Sequence, residues 1–154
     1  MLRTRFQEQL KQALHAKDEI ATSTLRLIIA AMKDRDIAAR GKGNWDGIGE
    51  DEILAMLQSM IKQRHESIKM YQQGKREDLA AREASEIRVI ETFLPTQLTE
   101  DEVKAAIDTA IEAVGAAGIK DMGKVIADMK SKYTGQVDFS KVSALVKDRL
   151  TAKA

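Results

Sequence analysis

The sequence predicts an all-α protein, with an antiparallel arrangement of four helices over residues 1–95 followed by a small three-helix unit over residues 96–154. Three observations lead there. Apolar residues recur at three- and four-residue spacing along nearly the whole chain. The one proline, Pro95, and the densest glycine run fall between the periodic stretches and not inside them. No stretch alternates with period two long enough for a strand, since Gln136-Val137-Asp138-Phe139 is too brief.

Each element has its own signal. Leu2, Phe6, Leu10 and Leu14 stand four apart and line one face of a first helix running to about Ala16. Asp18 is placed to cap a second helix, with Ile20, Leu25, Ile28, Ile29 and Met32 inward, reaching about Arg40. Between Gly41 and Gly49 four glycines fall in nine residues, which no helix tolerates, so this stretch reads as a mobile loop. Glu50-Asp51-Glu52 suits the start of a long third helix carrying Ile53, Leu57, Met60, Ile61, Ile68 and Tyr71. Gly74 is its candidate C-terminal cap, and a fourth helix follows with Leu79, Ile87, Ile90 and Phe93 inward. Pro95 ends it, because the residue before a proline is pushed out of helical angles.

Thr99-Glu100-Asp101-Glu102 has the form of a capping box opening a fifth helix with Val103, Ile107, Ile111 and Val114, ended by Gly115 and Gly118. Two short helices follow, one with Met122, Val125, Ile126 and Met129, the other with Val142, Leu145, Val146 and Leu150, capped by Asp138 or Ser140. Gly135 permits the reversal between them.

Composition narrows the function classes. With 44% hydrophobic and 32% charged residues the chain can both bury a core and solvate its surface, which excludes a disordered or fibrous protein. The absence of cysteine excludes disulfides, thiolate metal sites and cysteine nucleophiles, and points to a reducing compartment, the cytosol. The N-terminal segment is interrupted by Glu8, Gln9, Lys11 and Gln12, so no export signal is expected. The longest apolar run, Leu27 to Met32, is far too short to span a bilayer, so no membrane partner is expected. A formal net charge of +1 gives no global field for nucleic acid, but residues 119–154 carry eight basic side chains against four acidic ones.

Few residues carry chemistry. Gly118-Ile119-Lys120-Asp121-Met122-Gly123-Lys124-Val125 matches a phosphate-binding loop until its last position, where valine replaces the hydroxyl that would hold magnesium. It reads instead as a turn and a first helical turn. Lys120 and Lys124, one turn apart at a helix start, could still seat an RNA backbone phosphate. Lys130, Lys132, Lys141, Lys147 and Arg149 would extend that footprint, against the plainer reading of solvated helix faces. His15 and His65 lie on different helices without companion ligands, so no metal site is expected. None of the seven serines lies in a Gly-x-Ser-x-Gly elbow. Glu83, Glu86 and Glu91 interleave with Arg82 and Arg88, as ordinary surface ion pairs do. Lys62 and Arg64 flank the apolar stripe of the third helix and either bind a partner or solubilise it; Trp45 either folds back onto the bundle or touches a partner. No catalytic residue and no cofactor are assigned.

The run Leu94-Pro95-Thr96-Gln97-Leu98-Thr99-Glu100-Asp101-Glu102 resembles the junction of YqeY-type proteins, and Asp121-Met122-Gly123-Lys124-Val125 resembles their second signature. Leu25-Arg26-Leu27-Ile28, Lys62-Gln63-Arg64 and Gly74-Lys75-Arg76-Glu77-Asp78-Leu79, with Glu83 and Glu86, match in the same order, so the resemblance covers nearly the whole chain. That family is similar to the tail of the B subunit of glutamine-dependent aspartyl- and glutamyl-tRNA amidotransferase, where the tail helps hold tRNA. The resemblance implies a non-catalytic helical module that binds tRNA or another RNA, or else a protein partner. The family's label of carbon–nitrogen ligase with glutamine as amido-N-donor belongs to a subunit body that this chain lacks. Gln136, where a basic residue is expected, and Phe139, where a small one is common, depart from the pattern.

Overall fold

The structure, a computed structural model, describes residues 1–153. Among the described residues seven α-helices run in order: α1 (Leu2–Ala16), α2 (Glu19–Arg40), α3 (Glu50–Gln73), α4 (Glu77–Glu91), α5 (Glu100–Val114), α6 (Met122–Tyr133) and α7 (Phe139–Lys153), with a 3-10 turn at Ile119–Asp121. No strand is present among the described residues, so the protein is all-α. Two compact units meet in sequence between Leu94 and Pro95.

In the first unit α1 packs on α2, α3 on α4, and α2 joins the pairs through contacts with α3 and α4. The core holds Leu2, Phe6, Leu25, Ile28, Met32, Ile53, Met56, Leu57, Ile90 and Phe93. Phe6 and Phe93 meet edge to face at 4.9 Å, and the Arg5 guanidinium lies over the Phe93 ring at 5.2 Å. Leu14 does not join this core. It is 50% exposed, and Ala13 is buried in its place, because a 3.6-residue period carries the face backward relative to a strict four-residue spacing.

Both tight turns of this unit use a lysine in the left-handed region where sequence patterning favours glycine. Lys17 has φ 57° between α1 and α2, and Lys75 has φ 57° after α3, while Gly74, the expected cap, has φ −83°. Each turn closes through backbone bonds one residue on, Asp18 N–H to Ala13 O at 3.0 Å and Arg76 N–H to Tyr71 O at 2.8 Å.

In the second unit α5, α6 and α7 pack mutually around Ile107, Ala110, Ile111, Val125, Met129, Val142, Val146 and Leu150. Helix α5 is capped by Thr99, whose hydroxyl accepts the Glu102 N–H at 3.2 Å. The Glu102 carboxylate accepts from that same hydroxyl and not from the Thr99 backbone, so only half of the capping box forms. Asp138 caps α7, accepting the Ser140 N–H at 3.0 Å. The segment after Pro95 is fastened to the α6–α7 turn: Leu98 N–H donates to Gln136 O at 3.0 Å and the Gln97 side chain to Gly135 O at 2.6 Å.

Replacing Lys17 or Lys75 by glycine removes the left-handed strain of a residue bearing a Cβ. Each substitution is expected to raise stability by about 0.5–1 kcal/mol, read as a higher urea midpoint at unchanged slope; an unchanged or lower midpoint at both positions contradicts the strain argument.

Candidate functional site

The seven cations that the sequence singles out in the second unit are not equivalent. Lys120 stands in the 3-10 turn and Lys124 in the first turns of α6, both exposed. The carboxylate of Asp121 lies between them in sequence and accepts the Ala117 N–H at 2.9 Å. That backbone bond, helped by the nearby lysines, holds Asp121 below its usual titration range, so an anion arriving here meets a fixed negative charge as well as two cations. Lys132 pairs with Asp128 at 3.0 Å, Arg149 reaches Asp108 on α5 at 3.6 Å, and Lys130 lies 5.8 Å over the Phe139 ring. Lys141 and Lys147 are exposed on α7, about a third of a turn apart around the helix axis. Thus Lys120 and Lys124 are brought together on one short stretch, Lys141 and Lys147 stand apart on α7, and the other three cations are tied to their own fold.

In the first unit the geometry separates Lys62 from Arg64. Lys62 is exposed. Arg64 turns inward: its Nε donates to Glu86 Oε2 at 2.9 Å and its Nη1 to Met60 O at 3.1 Å, with side-chain exposures of 12% and 11% for the pair. Arg82 approaches the other Glu86 oxygen at 3.5 Å. Glu86 is therefore not a surface ion-pair member, as the interleaved pattern suggests, but a buried carboxylate joining α3 to α4. Burial, then the Glu86 charge, pushes Glu83 above its usual range.

The glycine-rich stretch differs most from its sequence reading. Ile48 is only 5% exposed and belongs to the core, and both of its backbone groups are held. Its N–H donates to Asp36 Oδ1 at 2.9 Å, and its carbonyl accepts from Arg3 Nη2 at 2.8 Å. Arg3 in turn meets Asp36 with two parallel bonds of 2.8 and 2.7 Å. Gly47, at φ 89°, sits against this clasp, where a Cβ would come within 2.7 Å of Asp36 Oδ1 and 2.9 Å of Arg3 Nη2. The bond from Arg3, partly opposed by burial, lowers the Asp36 pKa to about 2. Trp45, between these fixed points, is 75% exposed, so it does not fold back onto the bundle. Sequence alone does not single out Arg3 and Asp36, because their pairing spans 33 positions; Gly47 is visible there only as one glycine of a run.

Two shallow hollows lie along α1 and α2, one lined by Leu14, Lys17, Glu19, Thr22, Ser23 and Arg26. The second, of about 320 Å³, shares Arg26 and adds Gln7, Leu10, Ile29, Ala30 and Lys33. Among the described residues no group of three or more His, Cys, Asp or Glu side chains is placed to hold a metal ion, and no helix is long and apolar enough to cross a membrane.

These features define a small helical protein of two units with cationic helix faces. Its sequence matches the family model described as Yqey-like protein over residues 3–150, and the chain belongs to that family. It is similar to the fungal proteins named altered inheritance of mitochondria protein 41, mitochondrial. Identity is 29% over 123 residues for that of Vanderwaltozyma polyspora, covering 76% of this chain and 64% of the relative. For that of Saccharomyces cerevisiae it is 34% over 85 residues, covering 55% and 44%. For that of Lachancea thermotolerans it is 33% over 89 residues, covering 58% and 46%. The chain thus spans less than two thirds of the length of these relatives. The mitochondrial location in their names overturns the cytosolic placement drawn from composition. The physical reason is that a lack of cysteine excludes dependence on disulfides without naming a compartment.

Two outcomes test the first unit. Gly47→Ala, which both strains the backbone and crowds the clasp, is expected to cost about 2 kcal/mol or more in urea unfolding. Because the folded Asp36 pKa lies below its unfolded value of 3.8, its contribution is complete above about pH 4 and is lost as the pH falls toward 2. Asp36→Asn is accordingly expected to destabilise by about 1–2 kcal/mol at pH 7, with the difference from the parent narrowing below pH 4. A difference that stays constant down to pH 2 would remove Asp36 from that role.

Proposed function

We propose that this protein is an accessory RNA-binding module of the Yqey-like family, with tRNA as its foremost candidate ligand. The observation that carries the reading is that four exposed lysines of the second unit, Lys120, Lys124, Lys141 and Lys147, stand outside every ion pair among the described residues. Lysines placed this way supply point charges to a phosphate backbone without geometric specificity, as a contact that positions RNA requires. The resemblance of the runs Leu94 to Glu102 and Asp121 to Val125 to YqeY-type signatures, in a family similar to the amidotransferase tail that helps hold tRNA, supports the same assignment. Under this reading the chain supplies grip and the chemistry lies in another protein, so glutamine-dependent amidation by the chain alone is not expected.

A second reading, a helical protein-interaction module, is favoured by the half-exposed Leu14, which lines one α1–α2 hollow with Lys17 and Arg26, and by the neighbouring hollow, where Arg26 and Lys33 accompany apolar Leu10 and Ile29. The two readings part on one measurement. Titration of labelled tRNA is expected to show affinity that falls steeply with salt. Lys120→Glu with Lys124→Glu is expected to weaken it and to reduce the slope of log K against log salt by about one for each phosphate that is no longer neutralised. Absence of binding at low salt, or indifference to both substitutions, removes the RNA reading and leaves the protein-interaction one.

A further inference from the structure

We infer that the loop carrying Trp45 is a stacking platform for an unpaired nucleobase, a contact on the first unit separate from the lysines of the second; this rests on the RNA-binding reading above. A large aromatic exposed to 75% is unusual enough to require an explanation, since tryptophan ordinarily gains by burial. The usual bland explanation, a loose loop, fails here because the backbone is tied on both sides of the indole.

On the near side Lys42 N–H and Asn44 N–H both donate to Ala39 O, at 3.0 and 2.9 Å, and Gly43 N–H donates to Arg40 O at 3.0 Å. Across the loop the Asn44 side chain donates to Gly47 O at 3.0 Å and accepts the Asp46 N–H at 3.2 Å. On the far side Ile48 is locked by Asp36 and Arg3. Trp45 is therefore displayed with its main chain already ordered, which lowers the entropic cost of any contact it makes.

The surroundings select the ligand. Arg40 and Lys42 just before the indole, and Lys33 and Arg35 on the preceding turns of α2, are exposed and outside every ion pair among the described residues, although Arg40 is close enough to Asp36 to help depress its titration. Asp36 is neutralised by Arg3, which leaves Asp34 and Asp46 as the opposing carboxylates of this segment. An exposed aromatic face with flanking cations is what a base and its phosphate need, and stacking tolerates any base. The two hollows described above lie along α1 and α2 and include none of the loop, so neither gives a protein partner a recess beside the indole. Ile37, exposed on the last turns of α2, is the feature a protein partner would use instead.

Trp45 is the only tryptophan of the chain, so its emission reports on this loop alone. The probe is a single-stranded oligoadenylate of about twelve nucleotides, within the span such platforms cover. Titration is expected to quench Trp45 emission, with less quenching by a duplex RNA of equal length. Binding followed independently by anisotropy of the labelled oligonucleotide is expected to weaken about 5- to 150-fold in Trp45→Ala and to recover in part in Trp45→Phe, which keeps a ring to stack on. Helical circular dichroism should be unchanged in both, since the indole lies outside the core. If anisotropy shows binding while Trp45 emission stays constant and Trp45→Ala binds equally well, the platform is overturned and RNA binding by the chain stands. If no oligonucleotide or tRNA binds at all, both readings fall together.

Discussion

The first unit depends on how the Arg3 guanidinium meets Asp36. One charged pair fixes three elements at once, because Arg3 belongs to α1, Asp36 to α2, and the Ile48 backbone that both groups hold leads directly into α3. Glu50 adds to the same corner, accepting the Leu2 N–H at 3.1 Å and so satisfying a donor at the start of α1 that no side-chain cap of its own sequence supplies. Without this corner the glycine-rich stretch would lose the restraint that brings Ile48 into the core. The bidentate geometry matters more than the charge, since a partly exposed pair contributes little by Coulomb attraction alone.

A second polar joint works differently. Glu86 is buried between α3 and α4 with guanidinium groups from Arg64 and Arg82 on its two oxygens. Burying a carboxylate is unfavourable unless its oxygens are matched, so the joint favours one register of α3 against α4 while adding little net stability. Glu83 experiences the opposite of this match: burial and the neighbouring Glu86 charge raise its pKa, with Arg64 only partly opposing them. The contrast shows why residue type alone misassigns this cluster: charged side chains of one segment divide into a buried joint and its neighbours according to which of them faces the next helix.

Charge on the second unit follows a related logic. Its cationic excess is real, yet Lys132 and Arg149 hold helices of their own unit or their own turn, and Lys130 covers Phe139. The cations left to meet a ligand form a smaller and more dispersed set than the composition implies, centred on Lys120 and Lys124 with Asp121 between them. Such an arrangement suits a contact that is weak, salt-sensitive and nonspecific by itself, and a module of this kind gains affinity when a second contact adds to it. The exposed indole on the first unit is the feature offered for that role.

The sequence by itself determined the helical elements, their order and the family, because apolar periodicity, capping residues and glycine placement act over a few residues and leave a local record. It also located the lysines and singled out Trp45 as anomalous. Tertiary structure alone decided which charges are engaged, that Leu14 faces outward while Ala13 packs, that lysines and not Gly74 adopt the left-handed turns, and that Ile48 is core. Each of those outcomes rests on groups far apart in the chain or on the small rotation between successive helical turns. A pairing such as Arg3 with Asp36 leaves no trace in local pattern, since neither residue differs from any other surface charge until the fold brings the two to hydrogen-bonding distance, 2.7 and 2.8 Å.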